Sequence, residues 1–500
     1  MTPPRLDRIA WRSRWPAGPP PVRIVHLGLG AFHRSHQAAL TQLADPAGEW
    51  GIAAFTGRSR RAADELAEQG GLFTLLVRSA GGDSATVIEN LVEVHDGADL
   101  ERLRTLVSAP STALVTLTLT EAGYRLAPHG GADLDDPTVR ADLEDLRAMW
   151  SRIENATPRT PLARLLLGLE ARRRGGGGPI AIVPCDNLPA NGPATRRAVL
   201  DLARRVDAAS AEWIESSVSF VSTSVDRITP RFDPRDVLTA AEASGWDDRH
   251  PVVTEPFADW VLSGEFPAGR PRWELAGARF VADIEPFEQR KLRMLNGAHT
   301  LLAAAGRLLG HETVASATAD PRCSAWLEAY WDETERHLPG ASLDLPRYRA
   351  QLRERFLNPR IEHRLAQIAE DAETKIRLRI LPTLLAERAR GRPGEASARA
   401  VAAWLLSNAD AAGGPLVERV RALDPELAGD GVLLDAVDEQ IIALRRMLDR
   451  PERTASGPPR PATGGTAPAS TPRPLSSSST TPEAPRRRTS PGIPSPKESS

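Results

Sequence analysis

Cysteine is scarce in this chain: Cys185 and Cys323 are the only two in 500 residues. That is too few for a disulfide framework and fits a reducing compartment. Neither sign of charge dominates, with Lys+Arg 63 against Asp+Glu 65, which removes the electrostatic case for nucleic acid or an anionic membrane as partner. No stretch approaches the run of about 20 apolar residues that crosses a bilayer. No apolar segment of signal-peptide length precedes Val22. The ten histidines show no His-x-x-x-His or cysteine–histidine cluster of metal-ligand spacing, and no Gly-x-Ser-x-Gly nucleophile elbow occurs. No fixed-period repeat is evident. The expectation is a soluble cytoplasmic protein with no metal site. No coiled-coil heptad forces association, so the oligomeric state stays open.

Five hundred residues accommodate two or three domains. Residues 451–500 are dominated by Pro, Ser, Thr, Ala and Gly, too little apolar surface to offset chain entropy, and are read as a disordered tail. Before that, Val22-Arg-Ile-Val-His-Leu27 reads as a strand ending at Gly28, and 32–43 has helical spacing. Further strands are predicted at 51–55, 113–118 and 179–183, with helices at 60–68, 100–107, 162–171 and 194–206. Residues 172–178, Arg-Arg-Arg-Gly-Gly-Gly-Gly, read as a solvent-facing loop. Strands alternating with helices imply a mainly parallel sheet covered on both faces. After Ile284 only helical periodicity recurs, at 288–309, 325–337, 345–357, 374–387, 397–406 and 433–448. The fold expected is α/β: a dinucleotide-binding domain of Rossmann type over 1–284, a helical substrate-binding and catalytic domain over 285–450, then the tail.

Gly28, Leu29, Gly30, Ala31 and Phe32 follow the first strand as a glycine turn into a helix. The first glycine permits a tight turn, and the second lets the backbone approach a pyrophosphate at the helix N-terminus. His33 stands where the third glycine of the fingerprint belongs. It and Arg34 either reach phosphate or substrate or fix the loop. The second strand runs into Thr56-Gly-Arg58-Ser59-Arg60-Arg61 with no acid until Asp64. Arg58 and its neighbours either embrace a 2′-phosphate, favouring NADP over NAD, or are solvated.

The block Lys291-Leu-Arg-Met-Leu-Asn296-Gly-Ala-His299 sits in an apolar helical pattern. On an α-helix Glu288, Lys291, Asn296 and His299 fall within an arc of about 140°. Burial moves a lysine pKa toward neutrality, which suits a proton-transferring base; the bland alternative is a set of caps and surface ion pairs. Asn187 follows a predicted strand, where ligands bind in this fold class. With Asn296 it can supply two amide donors to one developing oxyanion. Lys375 and Arg379 are four residues apart, so both cations share a helix face suited to a carboxylate or several hydroxyls; two solvated charges are the plainer alternative.

Lys291-Leu-Arg-x-Leu-Asn-Gly-x-His299 resembles the active-site motif of the long-chain polyol dehydrogenases, the mannitol dehydrogenase family that includes mannitol 2-dehydrogenase and fructuronate reductase. The resemblance continues through Gly28-Leu-Gly-Ala-Phe-His-Arg34, Thr118-Leu-Thr-Glu-Ala-Gly-Tyr124, Cys185-Asp-Asn-Leu-Pro-Ala-Asn-Gly192, Val225-Asp-Arg-Ile-Thr-Pro230 and Thr254-Glu-Pro-Phe257. It implies an NAD-dependent oxidoreductase, with NADP open, that interconverts a secondary alcohol and a ketone of an open-chain sugar derivative. The leading pairs are mannitol/fructose and mannonate/fructuronate. Lys291 would be the acid/base, Asn187 and Asn296 the oxyanion pair, and His299 a partner of a substrate hydroxyl. Glu288 would assist proton passage or merely pair with Lys291. Asp226 would touch substrate or orient the lysine, and Arg227 would be structural. Lys375 and Arg379 match substrate-binding positions, although the family has Asp-Gly where this chain has Asp371-Ala372. The rival reading is a catalytically silent nucleotide-binding protein that keeps the fold.

Overall fold

The computed structural model describes residues 3–449 apart from 16, 58, 129, 409–414, 425, 426 and 428. The tail and Arg58 therefore lie outside the described residues. Six short strands form one sheet in the order Leu91–His95, Gly51–Phe55, Val22–Leu27, Leu114–Leu117, Ile180–Pro184, Val218–Phe220, and every neighbouring pair is parallel. By chain order this is 3-2-1-4-5-6, the doubly wound arrangement of a Rossmann-type sheet. The strands read as nearly continuous apolar runs because both faces are covered. Val25, Phe55, Val115 and Ile182 join one buried layer. Ile24, Ile52, Leu114 and Val183, one residue out of phase, join the other with Trp260 and Trp273.

Two three-stranded sheets escaped the sequence reading: Val252–Thr254, Phe73–Ser79, Gly82–Ile88, and Arg279–Phe280, Asp259–Ser263, Ser222–Asp226. Their strands are short or mix polar and apolar residues without clear alternation. The presumed loop at 172–178 is also corrected, since the helix Pro161–Gly175 runs through half of it and ends on left-handed Gly176. Arg172 is buried, and its guanidinium donates to the carbonyls of Val107, Ala109, Gly178 and Pro179. Five fixed donors let an arginine satisfy orphan carbonyls that a polarity pattern assigns to water.

From Glu285 onward the elements among the described residues are helical. They enclose one apolar cluster around Gly297–Leu308, which is buried from Gly297 through Gly306; a helix apolar on all sides belongs at the centre. Three helical segments widen into π turns: Arg34–Ala38, Lys291–Asn296 and Ile376–Ile380. Each falls at one of the blocks singled out above, and such turns recur at functional sites. No described helix is long and apolar enough to cross a membrane.

Candidate active site

Gly28 has φ 110°, and a Cβ there would stand 2.2 Å from Thr118 O. Only glycine fits. Gly28 and Leu29 both donate their N–H to Phe55 O at 2.9 Å, while Thr118 Oγ1 donates to Gly28 O at 2.8 Å. At Gly30 a Cβ would meet nothing nearer than 3.7 Å. The helix that begins at Ala31 has no side-chain cap, so its first N–H groups are free for an anion. Phe32 stacks on His36 at 5.2 Å. His33 lies buried, 3.4 Å from the ring of His26, and Arg34 donates to His250 O at 2.6 Å. Both fix the loop. At the adenosine end Arg60 is exposed and paired with Asp64 at 2.8 Å.

Asn187 lies beyond Ile180–Pro184, at the carboxyl end of a parallel strand. Opposite it, the helix Glu285–Arg290 delivers Lys291. Lys291 Nζ donates to Asn187 Oδ1 and to Val225 O, both at 2.6 Å. An ammonium offers no acceptor, so Asn187 presents its oxygen to the lysine and turns its NH2 elsewhere. Asn296, Glu288 and Thr223 line the same cleft, of about 90 Å³. Burial lowers the Lys291 pKa; Asp226 and Asp259 oppose the fall, and Arg355 adds to it. Glu288 does not form the i, i+3 ion pair: its Oε1 accepts from Ala190 N at 3.3 Å, and burial raises its pKa. Beside Asn187, Asp186 accepts a hydrogen bond from Tyr124 Oη, and burial pushes its carboxyl up to about 6.

The helix carrying Lys291 differs from the expected α-helix. Gly297 N–H reaches back five residues to Leu292 O. Each residue of such a turn rotates by roughly 82° instead of about 100°, which brings Asn296 from about 140° to about 50° from Lys291. His299, three residues further, then returns to the lysine's face. The wider turn gathers the three residues more tightly than α-helical spacing.

His299 is buried deeper, outside that cleft, with its ring 4.6 Å from Phe356 and 4.8 Å from His363. Among the described residues its Nε2 has no hydrogen-bond partner, and burial holds its pKa well below the ordinary histidine value. Asp226 does not touch the lysine. Arg355 takes both its oxygens, Nη1 at 2.6 Å and Nη2 at 2.9 Å, and holds Glu255 through Nε at 2.9 Å and Nη2 at 2.7 Å. Arg227 donates to the carbonyls of Ser35 and Glu255. Sequence reasoning missed Arg355, because nothing in 347–355 separates it from Arg347, Arg349 and Arg353. Lys375 Nζ donates to the carbonyls of Ile368 and Glu370. Arg379 Nη1 lies 3.4 Å from Thr300 Oγ1, one residue past His299. Asp371 itself takes the left-handed conformation, φ 52°, and Ala372 begins the helix, so the missing glycine leaves Ala372 unstrained. Lys291, Asn187, Asn296 and Glu288 thus share one cleft, with Asp226 acting on the lysine by its charge. Lys375 and Arg379 lie outside that cleft's lining.

Residues 22–275 match the mannitol dehydrogenase Rossmann domain and residues 283–419 the mannitol dehydrogenase C-terminal domain. D-mannonate oxidoreductase of Escherichia coli (strain K12) is 36% identical over 404 residues, 79% of this chain and 81% of that protein. The crystal structure of D-sorbitol dehydrogenase in substrate-free form superposes with a TM-score of 0.76 at 29% identity, covering 86% of this chain and 94% of that one. The ternary complex of Pseudomonas fluorescens mannitol 2-dehydrogenase with NAD and D-mannitol gives 0.71 at 30%, covering 87% and 96%.

Proposed function

The chain belongs to the mannitol dehydrogenase family, and on that premise we propose that it interconverts a secondary alcohol and a ketone of an open-chain sugar derivative, with Lys291 as acid/base. The observation that carries this is the lysine itself: its ammonium hydrogen-bonds only Asn187 Oδ1 and Val225 O among the described residues, in a cleft it shares with Asn296. The glycine loop fits a nicotinamide dinucleotide. Gly28 excludes a Cβ, Gly30 leaves open space, and uncapped N–H groups follow. When bound, the coenzyme accepts or supplies hydride.

The chain's own residues handle the proton and the oxygen. In the oxidative direction the neutral amine of Lys291 takes the hydroxyl proton, and burial makes that form accessible at lower pH. In the reductive direction the ammonium returns it. The outward NH2 of Asn187 and the amide of Asn296 stabilise charge on the substrate oxygen. Arg379, beside Thr300 and His299, favours a sugar acid such as mannonate or its keto partner; a hexitol of the mannitol type needs only the hydroxyl-binding groups. Lys291, Asn187 and Asn296 together leave the silent-protein reading without support. Purified protein with NADH or NADPH and a panel of ketoses and keturonates, followed by nicotinamide absorbance, tests the proposal; no turnover with any of them contradicts it.

A further inference from the structure

The π turn that carries Lys291 leaves one carbonyl without its helical donor. Gly297 N–H would bond Arg293 O in an α-helix but bonds Leu292 O instead. Tyr330 supplies the missing donor as a three-centre bond: its single O–H is shared between Arg293 O and Arg379 O, each 3.1 Å from Oη. Arg379 belongs to the π turn Ile376–Ile380, where Leu381 N–H likewise reaches back five residues to Ile376 O. That turn precedes Pro382, which has no N–H to continue an α-helix. The next residue on the same helix, Trp331, donates its Nε1 to Met294 O at 2.9 Å. Both aromatic residues are fully buried. Gly297 provides the room, since a Cβ there would stand 2.1 Å from Tyr330 Oη.

We propose that Tyr330 is a positioning residue for proton transfer: its hydroxyl pins the π turn bearing Lys291 and Asn296 to the π turn bearing Arg379, and Gly297 is the gap that admits it. A buried carbonyl without a donor is costly. Without the hydroxyl, Arg293 O regains a partner only if the turn tightens to α geometry. Tightening rotates Asn296 from about 50° to about 140° away from Lys291. The amide then leaves the oxygen it should stabilise, and a misplacement of even about 1 Å can cost on the order of 10²-fold in rate. Pinning to Arg379 ties the two turns, so both loosen together.

The proposal rests on the reading of Lys291 as the proton-transferring group, and its test separates the two. Full-length Tyr330→Phe keeps the ring and loses only the hydroxyl. The expected result is a kcat lower by about 10- to 100-fold, an unchanged KM for the coenzyme, and a shifted pH midpoint. Hydrogen–deuterium exchange should quicken over 291–298 and 376–381 together. Gly297→Ala should lower kcat strongly alone but less in the Tyr330→Phe background, where the nearest ring atom is at 2.9 Å. A Tyr330→Phe protein with a lower melting temperature but native kcat and pH profile overturns the proposal. If the native protein turns over no sugar substrate, the functional reading fails and exchange alone decides the pin. Quickening of both turns then supports it, and unchanged protection, or quickening of one turn only, overturns it.

Discussion

Arg355→Met removes the guanidinium that holds Asp226 and Glu255 while keeping an unbranched side chain of similar reach. The three side chains are 4%, 8% and 3% exposed, so water replaces little of what is lost. Breaking a buried ion pair from one side costs about 3–5 kcal/mol, a large part of the roughly 5–15 kcal/mol that holds a typical domain folded. Glu255, whose pKa burial already raises, limits the loss by taking up a proton. Asp226 is left without its arginine partner, and Lys291 loses a cation that lowers its pKa. Loss of that cation favours the ammonium, so the lysine pKa should rise. Oxidation needs the neutral amine and increases as pH rises through that pKa; reduction needs the ammonium and decreases over the same range. The midpoints of both pH profiles should therefore move together toward alkaline pH. Arg355→Lys, which keeps a charge but not the two-carboxylate fork, should shift less. A folded, coenzyme-binding Arg355→Met protein whose oxidation midpoint stays put or moves acid would refute the reasoning.

Gly28→Ala should abolish coenzyme binding in a fluorescence titration, because its Cβ would collide with Thr118 O at 2.2 Å; native affinity would contradict the loop's role. Replacing Arg58 and Arg60 by alanine should raise KM for NADPH more than for NADH if they face the ribose, whereas equal effects would leave them to solvent and to the Arg60–Asp64 pair. Burial lowers His26 and His36 to about 3 from an unfolded value of about 6.5. Their stabilising neutrality is complete above the unfolded value and lost as pH falls toward the folded one. From about pH 6.5 to 5 each should cost about 2 kcal/mol, and a melting temperature insensitive to acid over that range would contradict this.

Residues whose chemistry cannot be served by another type were the legible ones. Gly28 is written as glycine because φ 110° and the Thr118 carbonyl allow nothing else. Lys291 and Asn296 stood out because polar groups in an apolar helix need partners or work. The long helices after Ile284 followed from periodicity and the parallel sheet from strand–helix alternation, whereas its two end strands, Leu91–His95 and Val218–Phe220, were not among those expected. What stayed hidden depends on partners distant in the chain. The π turn at Lys291 is held by Tyr330 and Trp331, each 37 residues along the chain from the carbonyl it meets. Arg355 and Arg172 look like any surface arginine until their carboxylate or carbonyl partners are seen. The short polar strand Gly82–Ile88 is a strand only because Phe73–Ser79 pairs with it.

Lys291→Ala tests the central claim most directly. Full-length native and variant proteins would be compared for turnover in both directions across pH, with coenzyme affinity measured separately. General acid–base catalysis contributes about 10²- to 10⁴-fold, so kcat should fall by at least that order. Its pH dependence should flatten, while coenzyme affinity is kept because the glycine loop is untouched. Near-native turnover, or loss of coenzyme binding altogether, would contradict the assignment of proton transfer to Lys291.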